Sequence, residues 1–276
     1  MSLRVTEPVG GDTSGRRLSV GIVLYHPSAE LLQATVASLV EAALRATVVP
    51  SLFLIDNGGS EAVLAALDIP GEWPCRVYQG HGNPGFGAGH NLCLAQVGDI
   101  HLILNPDVEL AVDALAEALA FLDAHPECGL LAPAARWDDG RVQYLCKRPP
   151  AVWDLFLRGF APGCLKRACD GRLARYEMRD LIGEQVVWDP PIASGCCMFV
   201  RGEVLRRIGG FDHRYFLYFE DFDLSLRLSR FMKIAYVPAV RIVHHGGHAA
   251  RKGRHHIQLF VSSAWLFFQL HGWRWI

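Results

Sequence analysis

Leu18 to Tyr25 is a mostly apolar run stopped by His26-Pro27, which predicts a strand buried on both faces. Leu31, Leu32, Val36, Leu39, Val40 and Leu44 then recur at helical spacing. Leu52 to Ile55 predicts a second short buried strand, ending at the turn sequence Asp56-Asn57-Gly58-Gly59-Ser60. A small helix is expected over Glu61 to Leu67 and a third strand over Arg76 to Gln79. After the glycine-rich stretch Gly80 to Gly89 a helix is expected from Ala88 to Gln96. His101 to Leu104 predicts a fourth strand, and Val112 to Ala124 a helix with Leu115, Leu119 and Leu122 on one face. Strands alternating with helices predict an α/β fold, a three-layer α/β/α sandwich with a mostly parallel central sheet. Such sheets bind ligands outside the carboxyl ends of their strands. Tyr25-His26, Asp56-Asn57 and Asn105-Pro106-Asp107 each follow an apolar strand, so they are expected on one edge of the sheet.

The second half has weaker periodicity. Residues 141 to 181 hold nine Lys/Arg against four acids, a difference of +5. This reads either as a solvated helical insertion or as a surface for an anionic acceptor or membrane headgroups. Cys197 to Val200 predicts a strand, Glu203 to Ile208 a short helix closed by Gly209-Gly210, and Leu224, Leu228 and Phe231 another helix. Ile234 to Val237 predicts a strand ending before Pro238. Val261 to Leu270, with Trp265, Phe267 and Phe268, reads as a packing helix or a membrane-surface contact.

At 276 residues the chain can bury a full core. Residues 1–17 are polar and glycine-rich and are expected to form a flexible leader without the apolar core of a signal peptide. Residues 18–250 are expected to form one domain of two halves, 18–110 and 111–250, followed by an apolar and basic helical segment over 251–276. A net charge of -1 provides no global field for nucleic acid. The eight Cys form no CxxC pair, which argues against a zinc ribbon and fits a reducing cytoplasm. No apolar run is long enough for a spanning helix.

Candidate chemistry concentrates in a few places. Glu220, Asp221 and Asp223 stand among Phe216, Leu217, Tyr218, Phe219 and Phe222. Acids at a helix N-terminus are favoured by the dipole, but three within an aromatic cluster need pairing or use. Asp107 stands just past the end of an apolar strand with Glu109 close by, an oxygen-rich setting that suits magnesium or manganese. It reads equally as the start of the next helix. Asp56-Asn57-Gly58 is a turn, and also a place for a carboxylate to meet a base or ribose. In Asn83-Pro84-Gly85-Phe86-Gly87-Ala88-Gly89-His90-Asn91 the glycines let backbone approach a ligand, and Asn83 or Asn91 could hold a sugar or phosphate. His244-His245-Gly246-Gly247-His248 follows the strand-like Val240 to Val243. Alternation turns His244 and His245 to opposite faces, so one of them is expected to ligate. Ser194-Gly195 shapes an acceptor pocket or only a turn.

Taken in order, these pieces resemble the family 2 glycosyltransferases of GT-A fold. They are Val20 to His26, Leu54-Ile55-Asp56-Asn57, the Asn83 to Asn91 loop, Leu104-Asn105-Pro106-Asp107, Ala193-Ser194-Gly195, Gly210-Phe211-Asp212, Tyr218 to Asp223 and His244-His245-Gly246-Gly247. The resemblance covers roughly Leu18 to Ala250 and implies a Rossmann-like N-terminal half. Within the family the chain is similar to bacterial rhamnosyltransferases that use dTDP-rhamnose. The resemblance implies that Tyr25, His26, Asp56, Asn57, Asn83, Gly85, Phe86, Gly87, Asn91 and Asn105 line the nucleotide-sugar site. It implies that Asp107 with His244 or His245 holds a divalent cation, Mg2+ or Mn2+. Asp221, with Glu220 beside it, would be the catalytic base, and Ser194, Gly195 and Asp223 would meet the acceptor. The common Asp-x-Asp metal motif reads Asn105-Pro106-Asp107 here, one carboxylate fewer.

The expected reaction is an inverting sugar transfer from a nucleotide-sugar donor to a saccharide or lipid-linked acceptor in surface polysaccharide synthesis. No nucleic-acid partner is expected, while peripheral membrane contact and self-association stay open. Transferases using UDP- or GDP-sugars and a non-catalytic nucleotide-sugar binder are the alternatives. A nucleotidyltransferase is disfavoured because Tyr25-His26-Pro27 replaces a basic glycine-rich loop after the first strand. A dehydrogenase is disfavoured because the Rossmann fingerprint is not in its place.

Overall fold

The computed structural model describes residues 17–246 and 254–276; the expected leader up to residue 16 lies outside them. The described chain starts at Arg17, whose backbone N–H donates to the Asp99 carboxylate at 2.9 Å. This residue, expected in the leader, is therefore anchored to the fold.

Strands and helices β1 (Leu18–Leu24), α1 (Ala29–Ala46), β2 (Ser51–Asp56), α2 (Glu61–Ala65), β3 (Cys75–Tyr78), α3 (Phe86–Asn91) and β4 (Ile100–Leu104) make the first half. All seven residues of β1 are buried, as a strand covered by helices on both faces requires. Val20, Ile22 and Leu24 pack with Leu32, Val36 and Leu39 of α1. Val23 joins Phe211 and Leu224 on the opposite face. Leu44, included in the predicted helical stripe, is exposed. The glycine-rich helix ends at Asn91, and only a 3-10 turn follows over Leu94–Gln96.

The second half is β5 (Val108–Leu110), α4 (Ala114–Ala124), β6 (Cys128–Arg136), β7 (Val142–Gln143), β8 (Cys146–Lys147), α5 (Val152–Gly159), α6 (Gly163–Ala168), α7 (Asp170–Tyr176), β9 (Val187–Trp188), β10 (Ile192–Ala193), β11 (Cys197–Arg201), α8 (Gly202–Arg207), α9 (Glu220–Leu228), β12 (Lys233–His244) and α10 (Arg254–His271). The basic stretch expected as a helical insertion folds as α5, α6 and α7, with β7 and β8 ahead of them.

One sheet runs through both halves in the order β3-β2-β1-β4-β11-β6-β12-β5. β1 to β4 are mutually parallel, and β6 and β12 share their direction, while β11 and β5 run against it. Each reversed strand starts or ends where a parallel neighbour ends. Cys197 pairs with Leu104, so β11 begins beside the carboxyl end of β4. His244 pairs with Val108, so the end of β12 lies beside the start of β5. A separate two-stranded ladder joins β10 to β8.

Two expectations change. β6, which contains Gly129 and Pro133, gives no strand signal in sequence, yet it is buried along most of its length between β11 and β12. β12 does not end before Pro238. It continues to His244 through a bulge, with Val237 opposite Pro133 and Arg241 opposite Ala134. Pro238 lacks the N–H for a regular ladder, and the bulge accommodates it.

Candidate active site

The ends of β1 and β2 are tied together. Asn57 N–H donates to Leu24 O at 2.8 Å, and His26 N–H donates to Gly58 O at 3.0 Å. His26 adopts φ 46° and stacks edge-on with the exposed Tyr25. Asp56 is 7% exposed. Its Oδ1 accepts from Gly58 N at 2.9 Å and its Oδ2 from Gln79 Nε2 at 3.2 Å. Asn57 Nδ2 donates to Asn83 Oδ1 and Gly85 O, and its Oδ1 lies 3.0 Å from His81 Nε2. Asp56, Asn57, Asn83 and Gly85 thus form one hydrogen-bonded rim with Tyr25 and His26 beside it. Gln79 and His81 were not foreseen. Gln79 becomes legible only once β2 and β3 are aligned with Ile55 opposite Tyr78.

The glycine-rich loop leans on the segment before α9. Gly85 has φ 97°, and a Cβ there would lie 2.1 Å from Phe216 O. Phe86 N–H donates to that same carbonyl at 3.1 Å. Gly87 packs against Phe211, with a would-be Cβ 2.7 Å from the Phe211 side chain. Asn91 departs from expectation. Its amide bonds both backbone groups of Phe211, at 2.7 and 2.9 Å, so it braces the fold instead of facing a ligand.

The acids of α9 separate into two roles. Asp221 Oδ2 accepts from Gly195 N at 2.8 Å, and Oδ1 from Phe222 N at 2.9 Å. Burial raises the Asp221 carboxyl against the opposing pull of these two N–H groups. Glu220 is 5% exposed, and its Oε2 has no hydrogen-bond partner among the described residues. Burial, then the Asp221 charge, pushes its carboxyl well above the ordinary range. Asp223, expected to meet the acceptor, is instead a strut. Its Oδ2 takes Arg227 Nε at 2.6 Å and its Oδ1 lies 2.9 Å from His271 Nε2, tying α9 to α10. The residues leading into α9, Tyr218 and Phe219, have φ 72° and 66°. Left-handed backbone at an aromatic residue costs about 1–3 kcal/mol and needs external restraint. Tyr218 Oη lies 2.9 Å from His256 Nδ1, and Ser263 Oγ donates to Leu217 O at 2.7 Å, so α10 supplies that restraint.

Ser194 N–H donates to Leu145 O, so its backbone belongs to the β8–β10 ladder edge. Ser225 Oγ joins the same ladder to α9, accepting from Ala193 N and donating to Asp221 O. Lys147 on β8 is 4% exposed and donates to Tyr144 O. Burial, then the Arg158 charge, lowers its ammonium to about 7.

On the same edge of the sheet, just past the carboxyl end of β4, which runs parallel to β1 and β2, Asn105 N–H donates to Cys196 O at 2.8 Å, while its Oδ1 is buried without a partner among the described residues. Asp107 lies in the turn between β4 and β5 and is not the start of α4, whose N-cap is Asp113. His244 Nε2 lies 3.4 Å from Asp107 Oδ1, and its Nδ1 lies 3.0 Å from Gln143 Oε1. Trp137 stacks over the ring at 6.3 Å. Burial alone would lower the His244 imidazole, but the Cys196 sulfur and the Asp107 carboxylate outweigh it and push it up to about 10. His245 faces the other way, with Nε2 2.7 Å from Glu109 Oε1. Strand alternation thus divides the pair, and His245 and Glu109 stand apart as a pair of their own. Gly246 lies close to Asp107, where a Cβ would fall 1.9 Å from Oδ2. Gly247 and His248 lie outside the described residues. Among the described residues no group of three or more His, Cys, Asp and Glu is gathered for a metal. Sequence reasoning missed Gln143, for which no sequence signal exists.

No family model matches the chain. It is 29% identical to N-acetylglucosaminyl-diphospho-decaprenol L-rhamnosyltransferase of Mycobacterium tuberculosis, over 91% of this chain and 83% of that protein. It is 29% identical to Rhamnosyltransferase WbbL of Escherichia coli strain K12, over 60% of this chain and 63% of that protein. In structure it matches mannosyltransferase PcManGT from Pyrobaculum calidifontis, solved with GDP-Man and Mn2+. The TM-score is 0.59 at 19% identity, over 91% of this chain and 63% of that one. The chain is a glycosyltransferase of GT-A fold. Its curated relatives are rhamnosyltransferases, and it is similar to those of family 2.

Proposed function

We propose that the chain transfers rhamnose from dTDP-rhamnose, with inversion, to a lipid-linked saccharide at the inner face of the cytoplasmic membrane, in surface polysaccharide synthesis. The observation that carries the mechanism is the Asp221 carboxylate hung on Gly195 N–H, partly buried and with a raised affinity for protons. In this reading Asp221 takes the proton of the acceptor hydroxyl. The oxygen forms a bond to the anomeric carbon on one face, the bond to the diphosphate oxygen breaks on the other, and the nucleoside diphosphate leaves. Burial and the neighbouring Asp221 charge both disfavour the ionised form of Glu220, which opposes a second charge beside the base. Asp56 and Asn57 hold the nucleoside, and the backbone around Gly85 and Phe86 approaches the sugar diphosphate. Ser194 and Gly195 border the acceptor.

The residues at the β4 end fit a divalent cation. Asp107 and His244 offer one oxygen and one imidazole nitrogen 3.4 Å apart, and Asn105 Oδ1 adds an orphaned buried acceptor. Two or three chain donors leave positions for diphosphate oxygens, the open arrangement Mg2+ and Mn2+ use with substrate phosphates. When bound, the cation would stabilise negative charge on the leaving diphosphate. Gln143 Oε1 accepts from His244 Nδ1–H and so presents Nε2 to that position, where a bound cation would take the place of the proton that the Asp107 carboxylate favours. The similarity to rhamnosyltransferases supports the donor, and the decaprenol-linked substrate named for the mycobacterial relative supports the acceptor class. The eight free cysteines agree with a cytoplasmic protein.

The test is a thermal-shift panel of dTDP, UDP, GDP and ADP, each with and without Mn2+. A ligand at a hundred times its dissociation constant adds about 2.7 kcal/mol. A manganese-dependent shift with dTDP is expected. A preference for UDP or GDP would replace the donor, and no shift with any nucleotide would sink the reading.

A further inference from the structure

Helix α10 carries apolar residues on two faces. One face packs inward, with Phe260 and Phe267 against Phe219, while Phe268, on the side of the second face, is covered by Trp273 stacked on it at 5.1 Å. The other presents Ile257, Val261 and Trp265, spaced four residues apart and 41%, 54% and 59% exposed. Residues four apart share one side of a helix, so these three form a single outward stripe. The stripe continues into the residues after the helix. Trp265 meets Trp273 at 4.9 Å, and Trp273 stacks on Trp275 at 5.3 Å. Trp153 on α5 is joined to this edge by a hydrogen bond from its N–H to Trp275 O.

Charge says what covers this face. After Asp223 the remaining 53 residues contain no Asp or Glu and eight Lys/Arg, of which Arg227 and Arg241 are paired with Asp223 and Asp113. At the end of α10 a cavity of about 290 Å³ is lined by Arg230, Arg274 and His271, and by no carboxylate. Neither arginine forms an ion pair among the described residues. An apolar, tryptophan-rich stripe beside unpaired arginines matches the interface of a bilayer, where indole rings sit at headgroup level and cations meet lipid phosphates. No described helix is long and apolar enough to cross a membrane, so α10 is suited to lie along the surface.

We propose that this face seats the protein on an anionic lipid bilayer, with Ile257, Val261 and Trp265 entering the interface and a headgroup phosphate in the Arg230–Arg274 cavity. The contact deepens the reading above, resting on it only for its purpose of meeting a lipid-linked acceptor. Through the Tyr218–His256 and Leu217–Ser263 hydrogen bonds, the seated helix is the one that holds the entry to α9.

The full chain is mixed with phosphatidylcholine vesicles, and with the same vesicles containing about one third phosphatidylglycerol, and floated on a gradient. No donor, acceptor or turnover is used, so failure here leaves the nucleotide thermal shift to judge the enzymatic reading separately. Binding to the anionic vesicles alone, weakened by salt, is expected. V261E/W265E should abolish it, and R230S/R274S should cut partition about thirtyfold. Both variants change exposed or cavity-lining groups, and their melting curves without any ligand report folding. Absence of vesicle binding by the parent chain overturns the proposal. So does unchanged binding by both variants. A dimer that V261E/W265E dissociates, without vesicle binding, overturns it too and assigns the face to a second copy.

Discussion

Gly195 N–H donates to Asp221 Oδ2 at 2.8 Å, and the same glycine leaves little room for a side chain. A Cβ on residue 195 would lie 3.1 Å from Asp221 Cβ and 3.4 Å from Phe86 Cε1. The carboxylate is thus positioned by backbone that arrives from the turn between β10 and β11, far away in sequence. Gly195→Ala should shift Asp221 by tenths of an ångström. Misplacement of that kind costs up to about a hundredfold in turnover. Overpacking costs about 1–3 kcal/mol in stability. Asp221→Asn keeps an acceptor oxygen for Gly195 but removes the base, and should lower turnover about 100- to 10,000-fold with nucleotide binding retained. Steady-state kinetics with parallel nucleotide titrations separate the two. Loss of nucleotide binding in Asp221→Asn would refute its role as base.

Glu220 and Asp221 make stability depend on pH in a defined direction. Burial raises both carboxyls above their ordinary values of 4.5 and 3.8. The fold therefore favours the protonated forms. Their contribution is fully present below about pH 4. It is lost as pH rises through the raised values. Glu220→Gln keeps the shape without the charge, so it should raise the melting temperature at pH 7 by a few degrees and flatten the pH dependence. Melting curves from pH 4 to pH 8 check this, and an unchanged slope would contradict it.

Gln143 acts on His244 from outside the candidate cation position. Gln143→Leu removes the acceptor for Nδ1–H, and loss of such an outer partner typically weakens metal affinity about 10- to 100-fold. Manganese titration followed by thermal shift in the presence of dTDP reads this directly. Asp107→Ala should abolish the manganese dependence altogether, while His245→Ala should leave it largely intact, because His245 is turned to Glu109.

Asp223 is 2% exposed and bonds both Arg227 and His271. Removing one partner from a buried charge pair costs about 3–5 kcal/mol. Asp223→Ala should therefore lower the melting temperature strongly and, below that temperature, leave the acceptor Michaelis constant near its parent value. A large change in that constant without a loss of stability would return Asp223 to the acceptor site.

The chain's own pattern determines the β1 to β4 half, because continuous apolar runs punctuated by Pro, Asn and Gly encode buried strands and their ends locally. It also marks Asp56, Asn105, Asp107, Asp221 and His244, since polar groups at the ends of apolar elements stand out in sequence. Tertiary structure decides which of these groups meet. β6 and the far side of β12 are invisible locally, because Gly129, Pro133 and Pro238 carry turn signals that burial in the sheet overrides. Reversed β11 delivers Gly195 and Cys196 to the end of β4, and antiparallel pairing of β12 with β5 delivers His244 to Asp107 while sending His245 to Glu109. Asn91 and Asp223 look like ligand-binding groups in sequence, yet packing spends them on Phe211, Arg227 and His271. Strand order and register join residues a hundred positions apart, and that long-range geometry is set by the packing of the whole sheet.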